Sequence, residues 1–270
     1  MDRMNPILFN TEMVRAILDG RKTVTRRIVK PQPVCYGPNK AFDAHDGDFF
    51  LSVEKNWLRC RMCGHDPEYS REGSEISHHW EPPYVPGDIL YVRETWCAGY
   101  DGEKYFYLAD KHTDREEKSL LDYGDVRWRP SIHMPKEAAR IFLRVTDVRV
   151  ERLQDIDGEQ AFMEGATAEV PGILESFEKN DMSIFPTNFS NWSAEKKADW
   201  YRSTATASYI AQCELSERLI KSFKQIWDRT IPKHPNKFKS YPYYWKDNPW
   251  VWVIEFERIS KEEVTNAEMQ

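Results

Sequence analysis

The chain has 270 residues, 40% hydrophobic and 30% charged, a length that suits one large domain or one domain with insertions. Its net charge of −6 argues against a protein that coats nucleic acid through bulk charge, while leaving room for a local basic site. No apolar run approaches the ~20 residues of a membrane span, and Met1-Asp2-Arg3-Met4-Asn5-Pro6 has no cationic-then-apolar signal pattern, so the expectation is a cytoplasmic protein with no membrane partner.

Residues 5–9 read as a short first strand. A helix follows, with Asn10 or Thr11 as its cap, because a side-chain oxygen there accepts from an otherwise orphan N–H. Val14, Ile17 and Leu18 fall on one helical face, and Gly20 suits the left-handed residue that ends the helix. Gly20-Arg21-Lys22-Thr23-Val24-Thr25-Arg26-Arg27 then places a lysine, two hydroxyls and three arginines in eight residues. A turn or a packing strand has no need of that mixture, so the segment is expected to form one wall of an anion-friendly pocket. Strict alternation from Lys22 would put it and Thr25 on opposite faces of a strand; both face one pocket only if Lys22 still belongs to the turn.

From Pro31 to residue 85 no hydrophobic period is sustained, which reads as an insertion of irregular structure. Within it, Cys60-Arg-Met-Cys63-Gly-His65 can present two thiolates to one tetrahedral metal. Cys35 and one of His65, His78 or His79 are the candidates to complete a structural zinc site, which would also order the segment. The plainer alternative is two unbonded cysteines near a surface turn, since there is no second Cys-x-x-Cys.

Order returns at Pro86-Gly87-Asp88, a turn, and at Ile89–Val92, a strand leading into Arg93-Glu94-Thr95-Trp96. Arg93 and Glu94 are read either as a surface ion pair or as rim residues of the pocket. Residues 105–108 are a further strand. In Trp128-Arg129-Pro130-Ser131-Ile132-His133-Met134-Pro135 the two prolines restrict the backbone and disfavour helix. A rigid loop carrying Arg129, Ser131 and His133 is either a ligand-contact segment or a structural loop with its histidine satisfied by the backbone.

The clearest strand is 140–150, with Ile141, Leu143 and Val145 facing one way and Arg140, Phe142 and Arg144 the other. A short helix follows, capped by Asp157 with Gln160 reaching back, and ended by Gly165. Glu164 sits in its last turn, where the negative end of the helix dipole favours the protonated carboxyl, a form suited to proton donation. Residues 166–193 read as a second insertion and 194–229 as a helix with Leu215, Leu219, Ile220, Phe223, Ile226 and Trp227 in its apolar stripe. A strand over 250–258 closes the chain, leaving 259–270 as a polar, frayed tail. The ten tryptophans and thirteen tyrosines are either an aromatic-rich core or, in part, stacking platforms for bases.

Gly-Arg-Lys-Thr-Val-Thr-Arg-Arg after a short helix resembles the signature of ASCH domains, a branch of the PUA-like superfamily, and in particular its larger phage- and prophage-associated members. The likeness covers about 5–30, 86–96, 126–165 and 222–258. It implies an α+β fold, a small β-barrel flanked by helices, here a single domain with two insertions. One group of the family hydrolyses N4-acetylcytidine. Similarity to that group implies that Lys22, Thr25 and Glu164 meet in the barrel mouth, with Thr25 as nucleophile, Lys22 as its base and Glu164 as proton donor to the leaving amine. Arg26 would stabilise negative charge, with Arg21, Arg93, Arg129, Ser131 and His133 as further substrate contacts. No cofactor is implied for catalysis, so a zinc at Cys60 and Cys63 would be structural. The rival expectation is a non-catalytic module that binds RNA or a modified base; a phage protein acting on a host protein is a third class.

Overall fold

The structure, a computed structural model, describes residues 4–33, 49–52, 57–60, 69–71, 74–76, 80–99, 104–110, 127–168, 194–231 and 243–268. The chain divides into two compact units, one made of 1–155 with 246–270, the other of 156–245.

The first unit is built on a five-stranded mixed sheet. Its strands are β1 (Met4–Leu8), β2 (Val24–Ile28), β7 (Ile89–Arg93), β10 (Phe142–Arg152) and β11 (Trp250–Ile259), in the order β1-β7-β10-β11-β2. β1 runs parallel to β7, and the other neighbours are antiparallel. β1 and β2 are the sheet's edges among the described residues, an α+β arrangement without a closed barrel there. The two edges approach each other where Arg27 Nη2 of β2 donates to the Leu8 carbonyl of β1 at 2.9 Å.

α1 (Thr11–Leu18) joins β1 towards β2. Asn10 caps it, its side chain accepting from Met13 N at 2.8 Å, and Val14 and Ile17 are buried. Gly20 takes φ +74, a value that an L side chain adopts only with strain. The turn closes through N–H groups of Arg21 and Lys22 that both donate to the Ala16 carbonyl. α1 covers one sheet face, where Phe9, Leu90, Leu143, Val145, Val148, Trp252, Ile254 and Phe256 form the main core.

β10 buries both faces. Leu143 and Val145 join the main core while Phe142 joins a second cluster with Ile89, Trp96 and Met134. A bulge between Val145 and Asp147 resets the alternation, which is how Val148 returns to the core side only three residues after Val145.

The stretch expected to be irregular contains order. β3 (Phe49–Leu51) pairs with β4 (Leu58–Cys60), and β5 (Tyr69–Arg71) with β6 (Ser74–Ile76). Strands of three residues are too short to show a period, but Phe49, Leu58 and Trp80 are buried in the main core. β8 (Trp96–Ala98) and β9 (Tyr105–Tyr107) make another hairpin. The expected frayed tail is corrected too: Lys261–Glu268 is a helix. Ser260 Oγ accepts from Glu263 N, and Glu263 Oε2 accepts from Ser260 N, a reciprocal cap that the sequence Ser-Lys-Glu-Glu encodes. Val264 anchors it in the second cluster.

In the second unit α2 (Gly158–Met163) packs on α3 (Ala194–Thr230). Asp157 caps α2 by accepting from Gln160 N. A Cβ at Gly158 would lie 2.3 Å from Ser216 Oγ and 2.6 Å from Ser216 Cα, so only glycine permits this approach. Leu219, Phe223 and Trp227 are the buried members of the α3 stripe. Among the described residues no helix is long and apolar enough to cross a membrane.

Candidate functional site

Lys22 lies before β2, in the turn that Gly20 opens, so the condition for sharing a face with Thr25 is met. Its side chain is buried, at 2% exposure. Its Nζ donates to the Val24 carbonyl at 2.7 Å and stands 5.5 Å from the centroid of the Phe9 ring. A buried ammonium needs such partners, because isolated transfer from water costs several kcal/mol.

β2 sorts its residues by strand alternation. Thr25 pairs with Ile254 and Arg27 with Trp252, both core residues. Directly paired residues share a face, so Thr25 and Arg27 point to the Phe9 side. Arg27 stacks on the same ring, its guanidinium carbon 5.4 Å from the centroid. Thr25 itself is buried.

Arg26 points the other way, and the expectation that it shares the pocket of Thr25 is corrected. Its side chain is fully buried, and Nη2 meets Glu151 at 3.1 Å. Glu151 also accepts from Arg149, which pairs in turn with Asp147 and Glu255. Of the β2 arginines, Arg27 is the one on the Thr25 face. Alternation alone contained this distinction, once the strand was known to start at Val24. Arg21 is on the surface, paired with exposed Asp19 at 3.1 Å.

Arg93 and Glu94 are not partners. Glu94 is 1% exposed and receives both Nε (2.9 Å) and Nη2 (3.1 Å) of Arg140. Arg140 Nη1 donates to Asp110 at 2.9 Å, and its guanidinium lies 3.9 Å from the centre of the Tyr107 ring. Tyr107 donates to the Ala138 carbonyl at 2.7 Å. Burial raises the Glu94 carboxyl against the pull of Arg140. Burial likewise pushes Tyr107 from 10.0 to about 12, Arg140 opposing. Burial alone would lower Arg140, but Glu94 and Asp110 outweigh it and hold the guanidinium charged. Pairing across 46 residues of sequence left no local signal for this group.

Arg129, Ser131 and His133 come together beside Trp96 and Arg93. Arg129 and Trp96 form an antiparallel bridge, with the Arg129 guanidinium 5.3 Å from the Trp96 ring centroid. Ser131–His133 is a single 3-10 turn, not extended chain: Pro130 supplies a compatible φ of −58 ahead of it, and Met134 is extended before Pro135. Arg93 Nη2 donates to the Ile132 carbonyl.

Glu164, in the second unit, is the C-cap residue of α2 and is 4% exposed; Gly165 beyond it takes φ +94. That unit also holds a cavity of about 410 Å³ between α2 and α3, lined by Gly158, Phe162, Leu215, Ser216 and Leu219 among others, and by none of the side chains read from the sequence as functional.

Of the expected metal ligands, Cys60 is a buried free thiol on β4, opposite Phe49. Cys35, Cys63 and His65 lie outside the described residues. Among the described residues no group of three or more His, Cys, Asp or Glu side chains converges to hold a metal.

Comparison with protein-family models, with curated proteins and with solved structures finds no match to this chain.

Proposed function

We propose that this chain is a nucleoside- or RNA-directed protein of the PUA-like type, and that it removes the acyl group from an N4-acylated cytidine. The observation that carries the reading is Lys22. Its amine is buried at 2% exposure on the same side of the sheet as buried Thr25, within the segment that resembles the ASCH signature. A methionine would fill that space without the cost of burying an amine, so a lysine there is a functional candidate. The mixed sheet, with Arg27 spanning its two edges, supports a barrel-like core.

In this scheme Lys22 enters as the neutral amine and takes the Thr25 hydroxyl proton as Oγ attacks the acyl carbonyl carbon. The carbon–N4 bond breaks, and the amine leaves as cytidine with a proton from a general acid. Water then cleaves the Thr25 ester and releases the carboxylic acid. The resemblance, not the geometry of either unit, assigns the acid to Glu164. Arg27 takes the place of Arg26 as the arginine proposed to meet developing negative charge, because it shares the Thr25 face.

A second reading, a binding module that holds RNA or a modified base without reacting, is favoured by one observation. Arg26, the expected charge stabiliser, is engaged by Glu151 instead. Incubation with N4-acetylcytidine, followed by chromatography for cytidine, separates the two. The hydrolase reading expects cytidine from the wild type, none from Thr25→Ala, and a rate lower by about 10²–10⁴ in Lys22→Ala. No product from folded wild-type protein transfers the proposal to the binding module. Undiminished turnover by Thr25→Ala removes threonine as nucleophile.

A further inference from the structure

Four arginines of the first unit are matched to carboxylates, Arg26 to Glu151, Arg140 to Glu94 and Asp110, Arg144 to Glu257, and Arg149 to Glu255, while Arg15 donates to the Ala109 and Leu108 carbonyls. Arg93 and Arg129 are not so matched among the described residues, and both belong to the corner where β7 meets β8. Arg93 donates only to a backbone carbonyl through Nη2, and its buried Nε–H has no acceptor. Arg129 is exposed and lies over the Trp96 ring. Trp96 is 4% exposed, and its indole N–H also has no acceptor. The carboxylate nearest in sequence, Glu94, is already committed to Arg140.

Arg93 and Arg129 are held by one short stretch, Arg93 through the Ile132 carbonyl and Arg129 through its bridge to Trp96, and among the described residues no carboxylate pairs with either, so an anion from outside can meet both. The backbone is held for it. Reciprocal hydrogen bonds of 3.2 and 2.7 Å lock Arg129 to Trp96, and the Arg93 guanidinium pins the turn at Ile132. His133 is exposed on that turn, and Ile132 is 56% exposed, an apolar surface next to the cations.

We propose that Arg93 and Arg129 form a phosphate-binding subsite, with Trp96 as its floor and the Ile132–His133 turn as its rim. A guanidinium matches phosphate oxygens with paired N–H donors, and an indole beneath it fixes its plane. An acidic side chain of a peptide would satisfy the charge, but the exposed Ile132 side chain and the exposed His133 imidazole beside the cations favour a nucleotide, whose base can lie against them. The subsite is independent of the acyl chemistry at Thr25, and either that chemistry or the subsite can fail alone.

The test follows the Trp96 indole N–H resonance of the full chain by NMR, assigned through Trp96→Phe, during titration with inorganic phosphate and with a ten-nucleotide single-stranded oligocytidine. Both probes are expected to shift that resonance saturably and to leave the buried Trp250 indole unmoved. Arg129→Ala is expected to weaken both by about tenfold, and Arg129→Lys by less. An oligonucleotide that binds much more tightly than phosphate identifies a polynucleotide as the source, and equal binding identifies a single phosphate group. A Trp96 signal that moves no more than Trp250, or an Arg129→Ala titration that overlays the wild type, overturns the proposal.

Discussion

Lys22 and Arg140 each rest on an aromatic ring in the first unit, and their surroundings differ. Arg140 has two carboxylates, Glu94 and Asp110, so its charge is neutralised within the fold. The Lys22 amine sits over Phe9 and donates to the Val24 backbone carbonyl. The first arrangement joins the β8–β9 hairpin to the start of β10 and serves the structure. The second buries an amine on the Thr25 side of the sheet, the arrangement on which the proposed chemistry rests. Arg93 and Arg129 show a third arrangement, cations with no carboxylate partner among the described residues.

If that contrast holds, removing Glu94 is the most damaging change. Glu94→Ala leaves the Arg140 guanidinium beside a cavity with only Asp110, and a loss of about 3–5 kcal/mol is expected in denaturant unfolding. A loss below about 1 kcal/mol would mean that the pair is not structural. Lys22→Met sharpens the other side. It keeps the volume and removes the amine with all its contacts, so the protein should stay folded while cytidine release is lost. A destabilisation as large as that of Glu94→Ala would make Lys22 a structural residue. The smallest effect concerns Tyr107, whose ionisation is raised from 10.0 to about 12. A raised folded value means that the native state holds its proton longer than the unfolded chain. Its contribution is therefore complete below pH 10 and lost as pH rises to about 12. Tyr107→Phe should lose less stability across that window than the wild type, and parallel curves would remove Tyr107 from the account.

The helix before the basic segment, its Asn10 cap, Gly20, β2, β7, β11 and the Asp157-capped helix were all legible, because each depends on neighbours a few residues apart. So was the oddity of Lys22, Thr25, Arg26 and Glu164, all of which are buried. The pairing of Arg26 with Glu151 and of Glu94 with Arg140 was not, since those partners are 125 and 46 residues apart. The closing helix was missed although its capping box was present, because a polar tail hid a single anchoring residue, Val264.

Local chemistry thus determined, from sequence alone, most of the helices and strands and the short stretch in which four cations are gathered. Only the tertiary structure decided which cations are neutralised. Strand alternation, acting through the pairing of β2 with β11, sent Arg27 towards Lys22's aromatic neighbour and Arg26 away from it. The bulge in β10 decided which of its residues face the core. Both depend on register between strands far apart in the chain, and register is set by packing that no local stretch contains.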